Sequence, residues 1–336
     1  LPIHPMEQYN IAVIAGGFSG EYAVSLRSAA GLLSWIDRSR FTPHLIVIER
    51  DGWYVRPDGE ETKDPILVDK CDFSFTLQGE HIKLDYALIT VHGTPGENGL
   101  LQGYLDLVGV PYNTGGTLTE ALTFNKYYCN RYLSTYPNLR VADSIRLLRN
   151  ATRPSSEELI KRLGLPLFAK PNAGGSSVAT SKVESLEALD KAVALAFDEC
   201  DEVLLERFIA GTEVTCGCYR IGDTITALPV TEVVPKNSFF DFEAKYNGAV
   251  EEITPARISP ELTALIQELT REIYQHVDAR GIIRVDYIIE ADGRPTLLEV
   301  NTTPGMTPTS FIPQQVKAAG LTMQDLLTDL IQDHLS

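Results

Sequence analysis

The sequence predicts an α/β protein of two or three domains, and three observations predict it. The chain has 336 residues, 44% of them hydrophobic, which is enough for more than one core. In the N-terminal part short β-branched strands at residues 10–15, 44–49 and 85–93 alternate with helical segments, the pattern of a parallel sheet. Near the C-terminus, residues 284–301 read as a β-hairpin rich in carboxylates. Charge narrows the functional classes. With 45 acidic against 29 basic residues the net charge is −16, which argues against nucleic acid or an anionic membrane as main partner, because both need a basic footprint. Any polyanion must be held locally. No apolar run approaches the roughly 18–20 residues of a membrane span, and no charged-then-apolar leader stands at the start, so a cytoplasmic protein is expected. Five cysteines without metal spacing suit reduced thiols, and Cys216 and Cys218 face one side of a strand.

Taken in order, NIAVIA (10–15) is the first strand. It runs into Gly16-Gly17-Phe18-Ser19-Gly20-Glu21 and then a helical pattern through Leu33. Such a turn offers backbone N–H groups and a helix N-terminus to a ligand, but it is not the G-x-G-x-x-G of dinucleotide sites. Glu21 is either a ligand group or a residue favoured by the helix dipole. The strands HLIVIE and DYALITVHG follow, and ligands of open α/β sheets gather at strand C-terminal ends. At one such end lies His92-Gly93-Thr94-Pro95-Gly96-Glu97-Asn98-Gly99, which makes His92 a candidate site residue as well as a candidate structural histidine. After PYNTGG (111–116) the texture changes, and a helix carrying Asn125 and Lys126 opens a second domain; an ordinary exposed lysine is the plain alternative for Lys126.

The strand LPLFAK ends at Lys170, and Pro171-Asn172-Ala173-Gly174-Gly175-Ser176-Ser177 follows before strand character resumes in VATSKV. A lysine and a Gly-Ser loop between strands make a flap with N–H and hydroxyl donors, as a phosphate requires, although a hairpin with a loose loop reads the same way. The Walker pattern is absent, which argues against a P-loop fold. Residues 203–209, VLLERFI, are a buried-type strand interrupted by Glu206, and Ala210-Gly211-Thr212-Glu213 lead into the next strand. A crossover between domains here makes a cleft. Residues 231–252 lack clean periodicity and are too long for a simple connection, which predicts a lid. Residues 260–279 read as an amphipathic helix, and a helix over 321–335 closes the chain.

In the hairpin, Val285, Tyr287 and Ile289 alternate with Arg284, Asp286 and Ile288, and Asp292-Gly293 suits a two-residue turn. That turn pairs Ala291 with Arg294, Asp286 with Glu299 and Arg284 with Asn301, the last four on one face. Pro295 then falls at a non-hydrogen-bonded position, where its missing N–H breaks no ladder bond. Two carboxylates opposed across strands, with Cα atoms roughly 4.5 Å apart, repel unless a cation sits between them. Asp286, Glu299 and the Asn301 amide oxygen are hard ligands suited to Mg²⁺; a solvated polar face is the alternative. Thr302-Thr303-Pro304-Gly305-Met306 leaves the strand at once, and its Gly lets backbone N–H groups approach a ligand.

Together GGFSGEYAVSL, HGTPGENG, the Asn125-Lys126 pair, AKPNAGGSSV, LLERFIAGTE, EAKY, RVDY and LEVNTTPGMTPTS, in this order and spacing, resemble the D-alanine–D-alanine ligases of the ATP-grasp superfamily. The resemblance runs from Ile11 to the last helix. It implies an α/β, three-domain ATP-grasp fold: an N-terminal parallel-sheet domain (6–114), then two α+β domains (115–210 and 211–336) that grip ATP. It implies ATP-dependent joining of two D-alanine molecules through an acyl phosphate, for peptidoglycan precursors, with Mg²⁺ or Mn²⁺ and in a homodimer. By the same resemblance Lys126 and Lys170 hold the ATP phosphates, Glu206 with Phe208 and Ile209 holds adenine, and Glu213 holds the ribose. Lys245 reaches the γ-phosphate from the lid, and Asp286, Glu299 and Asn301 are the magnesium ligands. Glu21, supported by Ser176 and Tyr246, holds the first amino acid's ammonium, and His92 lies by that substrate's carboxylate. Arg284 and the Gly305 N–H stabilise the tetrahedral intermediate, and Ser310 binds the second substrate's carboxylate.

Three positions depart from the commonest family forms. Asn98 replaces Asp in the HGxxGEDG pattern, Tyr22 stands where Arg or His is frequent, and Ala179 replaces a Gly after GSSV. None removes a charged catalytic group. Tyr246 implies a dipeptide ligase, since relatives with Phe there tend to make D-alanyl-D-lactate. The alternatives are another ATP-grasp carboxylate–amine ligase, a D-alanyl-D-lactate-type ligase, and a non-catalytic nucleotide-binding regulator. Carboxylates and a lid lysine together disfavour the regulator.

Overall fold

The structure, a computed structural model, describes residues 8–57, 65–175, 178–235 and 250–335. Ser176, Lys245 and Tyr246, named above as candidates, lie outside the described residues. In the N-terminal sheet β1 (Tyr9–Gly16) pairs in parallel with β2 (Phe41–Ile48) on one side and with β7 (Tyr86–Ile89) on the other, as the alternation predicted. The helix α1 (Tyr22–Trp35) joins β1 to β2. The connection from β2 to β7 corrects the expected strand–helix alternation. Among the described residues it holds no α-helix, and its regular elements are strands: β3 (Trp53–Val55) and β4 (Ile66–Leu67), which extend the sheet antiparallel, and the hairpin of β5 (Ser74–Leu77) and β6 (Glu80–Lys83). Trp53, Tyr54, Val55 and Phe75 are aromatic or β-branched, so they prefer a pleated surface, but each run is too short to show a period.

After β7 come α2 (Leu100–Val108), α3 (Thr117–Phe124) and α4 (Lys126–Leu133), the last capped by Asn125, whose side chain accepts the Tyr128 N–H. A second sheet of β8 (Ser144–Leu148), β9 (Leu167–Pro171), β10 (Ser181–Val183) and β11 (Glu202–Arg207) runs in the order β10-β9-β11-β8, wholly antiparallel. Its apolar face packs on α5 (Ser156–Leu163) and α6 (Leu186–Glu199).

The third sheet runs β15-β14-β12-β16-β17 and contains β12 (Thr212–Ile221), β13 (Thr224–Ala227, paired with β12), β14 (Thr231–Pro235), β15 (Val250–Ile253), β16 (Ile282–Ile289) and β17 (Pro295–Asn301). Both ends of the stretch predicted as a lid are thus sheet strands that pair with each other, and residues 236–249 lie outside the described residues. The helix α7 (Pro260–His276) covers this sheet. It starts where Ser259 accepts the Leu262 N–H, with Pro260 in the first turn, the positions at which a cap and a missing N–H help a helix begin.

The closing helices α8 (Phe311–Ala318) and α9 (Met323–Leu335) return to the first sheet. A parallel sheet needs apolar cover on both faces, and residues 11–15 of β1 are fully buried. Ile11 and Val13 share a core with Leu32 of α1, Ile312 of α8 and Leu327 of α9; Ile14 on the other face packs with Phe73, Leu101 and Leu105. The chain end is therefore locked to the chain start.

Candidate active site

A cleft of about 830 Å³ runs from the turn at residues 18–21 past Lys126 and Lys170 to the third sheet, within the range of small-molecule sites. Glu21, Lys126, Lys170, Glu206, Phe208, Ile209, Glu213 and Glu299 all line it. Lys170, expected on phosphates, and Glu206, expected on adenine, form one buried ion pair at 2.9 Å. Register explains it, because Lys170 of β9 stands opposite Leu204 of β11 and points to the same face as Glu206 two residues on. Lys126 sits between two elements. Its Nζ donates to the Gly174 carbonyl at 2.7 Å and lies 3.6 Å from Glu299 Oε1. The Asn172 side chain donates to Asn125 Oδ1 at 2.8 Å, so the glycine loop is tied down on α4 before it reaches Gly175.

The hairpin brings Asp286 opposite Glu299 and Arg284 opposite Asn301, as predicted, but by a different route. The loop has three residues, 291–293. Glu290, in place of Ala291, faces Arg294 and donates to its carbonyl at 3.1 Å, and Gly293 takes φ +76°. The register shifts back at Leu298, a β-bulge between Asp286 and Tyr287. Two one-residue departures cancel, and the carboxylates face each other.

Asp286 is buried and takes two hydrogen bonds of 2.9 Å from Arg284 Nε and Nη2, while Thr215 Oγ1 donates to its Oδ1 at 2.6 Å. Burial works against the Arg284 charge, yet the Asp286 carboxylate overrides it and holds the guanidinium above its ordinary range, so Arg284 stays a cation. The Phe311 ring lies 5.2 Å beneath it. The donors on this face, two carboxylates and the Asn301 amide oxygen, fit a hard divalent cation that also takes phosphate oxygens. Among the described residues no group of three or more His, Cys, Asp or Glu offers a richer site.

Next to the Gly174 carbonyl that Lys126 holds, the backbone of Gly175 lies directly on Glu21: a Cβ built there would stand 2.2 Å from Glu21 Oε2. His92 is buried nearby. Burial pushes its pKa down, against the pull of the Glu21 charge and the Thr303 backbone, with Arg284 also lowering it. Asn98 donates to Thr94 Oγ1 at 3.1 Å and accepts the Leu100 N–H, so its departure from the family form stays within its own loop. Tyr22 donates to Glu49 at 2.9 Å, and Ala179 takes φ +52°, where a glycine would be at ease. Ser310 caps the turn into α8: its Oγ accepts the Thr307 N–H at 3.1 Å and would meet a Cβ at Gly305 at 3.0 Å. Gly305 and Ser310 are thus neighbours.

Three residues of this neighbourhood went unread in the sequence. Thr215 orients Asp286, half-buried Glu97 accepts the Gly93 N–H at 2.6 Å, and Glu120 accepts from Thr302 Oγ1 at 2.5 Å. Glu97 stood inside the quoted HGTPGENG, which was the one available signal; the other two carry no motif.

Residues 10–115 match the family described as D-ala D-ala ligase N-terminus, and residues 136–332 that described as D-ala D-ala ligase C-terminus. The chain belongs to the D-alanine–D-alanine ligase family. The ligase of Porphyromonas gingivalis strain W83, named D-alanine–D-alanine ligase, is 62% identical over 98% of this chain and 99% of its own. Among solved structures, the VanG D-Ala:D-Ser ligase from Enterococcus faecalis superposes with a TM-score of 0.84 at 33% identity over 98% of this chain and all of its own. The D-alanine–D-alanine ligase from Bacillus anthracis complexed with ATP gives 0.76 at 26% identity over 97% of each chain. These ligase neighbours carry the ATP-grasp fold that the motifs implied.

Proposed function

We propose that the protein joins two D-alanine molecules to D-alanyl-D-alanine at the expense of ATP, supplying peptidoglycan precursors. The observation that carries this reading is the arrangement along one cleft: Glu21 under Gly175, and, tied to the neighbouring Gly174 through Lys126, the Arg284–Asp286–Glu299 cluster. Joining a carboxylate to an amine in water is uphill, so the carboxylate is first phosphorylated by ATP. Lys126 and Lys170 neutralise the phosphates, with Lys245 from the 231–252 segment at the γ-phosphate; Glu206, Phe208 and Ile209 hold adenine, and Glu213 the ribose. Glu21, with Ser176 and Tyr246, anchors the first ammonium. His92 stands by that substrate's carboxylate, and Ser310 takes the carboxylate of the second. Attack by the second amine builds an oxyanion, which the charged Arg284 and the Gly305 N–H stabilise. Asp286, Glu299 and Asn301 would hold Mg²⁺, or Mn²⁺ in its place, which supplies charge neutralisation at the transferred phosphoryl group.

The domains are read as 6–114, 115–210 and 211–336. A homodimer is supported by Leu107 of α2 and Leu118 of α3, adjoining helices on which these side chains are 89% and 80% exposed. Five free cysteines suit the reducing cytoplasm, and among the described residues no helix is long and apolar enough to cross a membrane. The test is mass spectrometry of products from ATP, Mg²⁺ and a panel of D- and L-amino acids with D-lactate and D-serine. D-Alanyl-D-alanine with equal ADP and phosphate is expected. A depsipeptide, a D-alanyl-D-serine preference, or ADP without a condensed product would overturn the reading.

A further inference from the structure

Helix α1 reaches the oxyanion loop at two points. Ser28 Oγ, fully buried, accepts the Met306 N–H at 3.1 Å, and a Cβ at Gly31, one turn on, would stand 2.0 Å from the Met306 carbonyl. The same Ser28 Oγ lies 3.3 Å from His92 Nε2. A hydroxyl that accepts from an amide keeps its own hydrogen to give, and a ring nitrogen is the acceptor within reach. We propose that Ser28 is a positioning residue for ligation: it donates to His92 Nε2, fixing the ring neutral with its proton on Nδ1, and it locks the Gly305–Met306 peptide against α1. The helix thereby spaces Glu21, at its N-terminal end, from the amide that faces the oxyanion. His92 is then held as a fixed neutral dipole and does not carry a proton between substrates.

The groups around the ring agree. From α1 it meets Ser28 and the Glu21 charge, from the loop after β17 the Thr303 backbone acting as acceptor, and from β16 the Arg284 charge. Glu21 and Thr303 favour protonation, while burial and Arg284 oppose it, and burial is the largest. The inference rests on the ligase reading for the role of Gly305, but its structural half does not.

The test uses the full-length protein with ¹⁵N-labelled histidine, with the His92 signals assigned by loss in His92→Gln. In the wild type the ring should show the Nδ1–H neutral form with no titration from about pH 6 to 8. Ser28→Ala should change the tautomer or let the ring titrate, speed exchange of the Met306 amide, and lower kcat about ten- to a hundredfold with KM for ATP unchanged. Ser28→Cys keeps the volume but hydrogen-bonds poorly, so it should behave like the alanine variant; Ser28→Thr, which keeps the hydroxyl, should recover most of kcat. A cysteine variant with wild-type ring and kcat would mean that Ser28 only packs, and the proposal falls. An altered ring with unchanged kcat also overturns it and leaves the ligase reading intact, because product still forms. Wild type that makes no ligation product at all would instead sink the reading on which it rests.

Discussion

Glu97 is half-buried beside the His92 loop, and burial pushes its carboxyl from the ordinary 4.5 up to about 8, although the Gly93 N–H pulls the other way. An acid whose folded pKa is raised binds a proton in the native state that the unfolded chain has already lost. Its penalty is absent below about pH 4.5, grows as pH rises, and is complete above about pH 8, about 1–2 kcal/mol once screening by the water that reaches this half-buried group is allowed for. Glu97→Gln keeps an acceptor for Gly93 and carries no such penalty. Denaturation midpoints of the two proteins should therefore separate in favour of the variant between pH 5 and 8; parallel curves would show that Glu97 ionises freely. Ala179 offers a second test. Its φ of +52° costs an L-residue about 1–2 kcal/mol, against the 0.5–1 kcal/mol of extra unfolded entropy that glycine brings. Strain wins, so Ala179→Gly should raise stability by about 0.5–1 kcal/mol, and a lower melting temperature would count against it.

Among the elements, the β16–β17 hairpin shows what a sequence reveals and what it hides. Period-two alternation and Asp292-Gly293 located the strands, and the face shared by Arg284, Asp286, Glu299 and Asn301 was legible because it depends only on parity. The loop length and the Leu298 bulge were not. Asp-Gly serves a two-residue turn and the end of a three-residue loop alike, and nothing in LLEV marks which leucine bulges. The glycine-turn and His92 segments were legible for a similar reason, since strand ends and loop glycines are local signals. Thr215 and Ser28 were invisible. Each is an unremarkable hydroxyl in a regular element, and its meaning lies in a partner 71 residues away, Asp286, or 278 away, Met306. Strands β3 to β6 were missed because runs of two to four residues carry no period.

At the scale of the molecule the site is closed by contacts between regions remote in sequence, and Gly175 is where the glycine loop meets the N-terminal helix. The loop is fixed on α4 through Asn172 and Gly174, and Glu21 is fixed by α1, which the last helices pin to the first sheet. Neither backbone gives way easily. An alanine at position 175 would put its Cβ 2.2 Å from Glu21 Oε2, well inside contact distance. The atom that must move is the end of a flexible carboxylate, so a new rotamer at a cost of about 1 kcal/mol absorbs the clash and the fold survives. The carboxylate, however, leaves its place under the loop. Gly175→Ala should accordingly raise KM for the first D-alanine about tenfold, with melting temperature and ADP affinity near wild type, while Glu21→Gln should reproduce the substrate effect without touching the loop. Steady-state kinetics at saturating ATP, with ADP titrations alongside, separate the cases. If Gly175→Ala weakens ADP as much as D-alanine, the loop serves the nucleotide alone, and its contact with Glu21 plays no part in holding the amino acid.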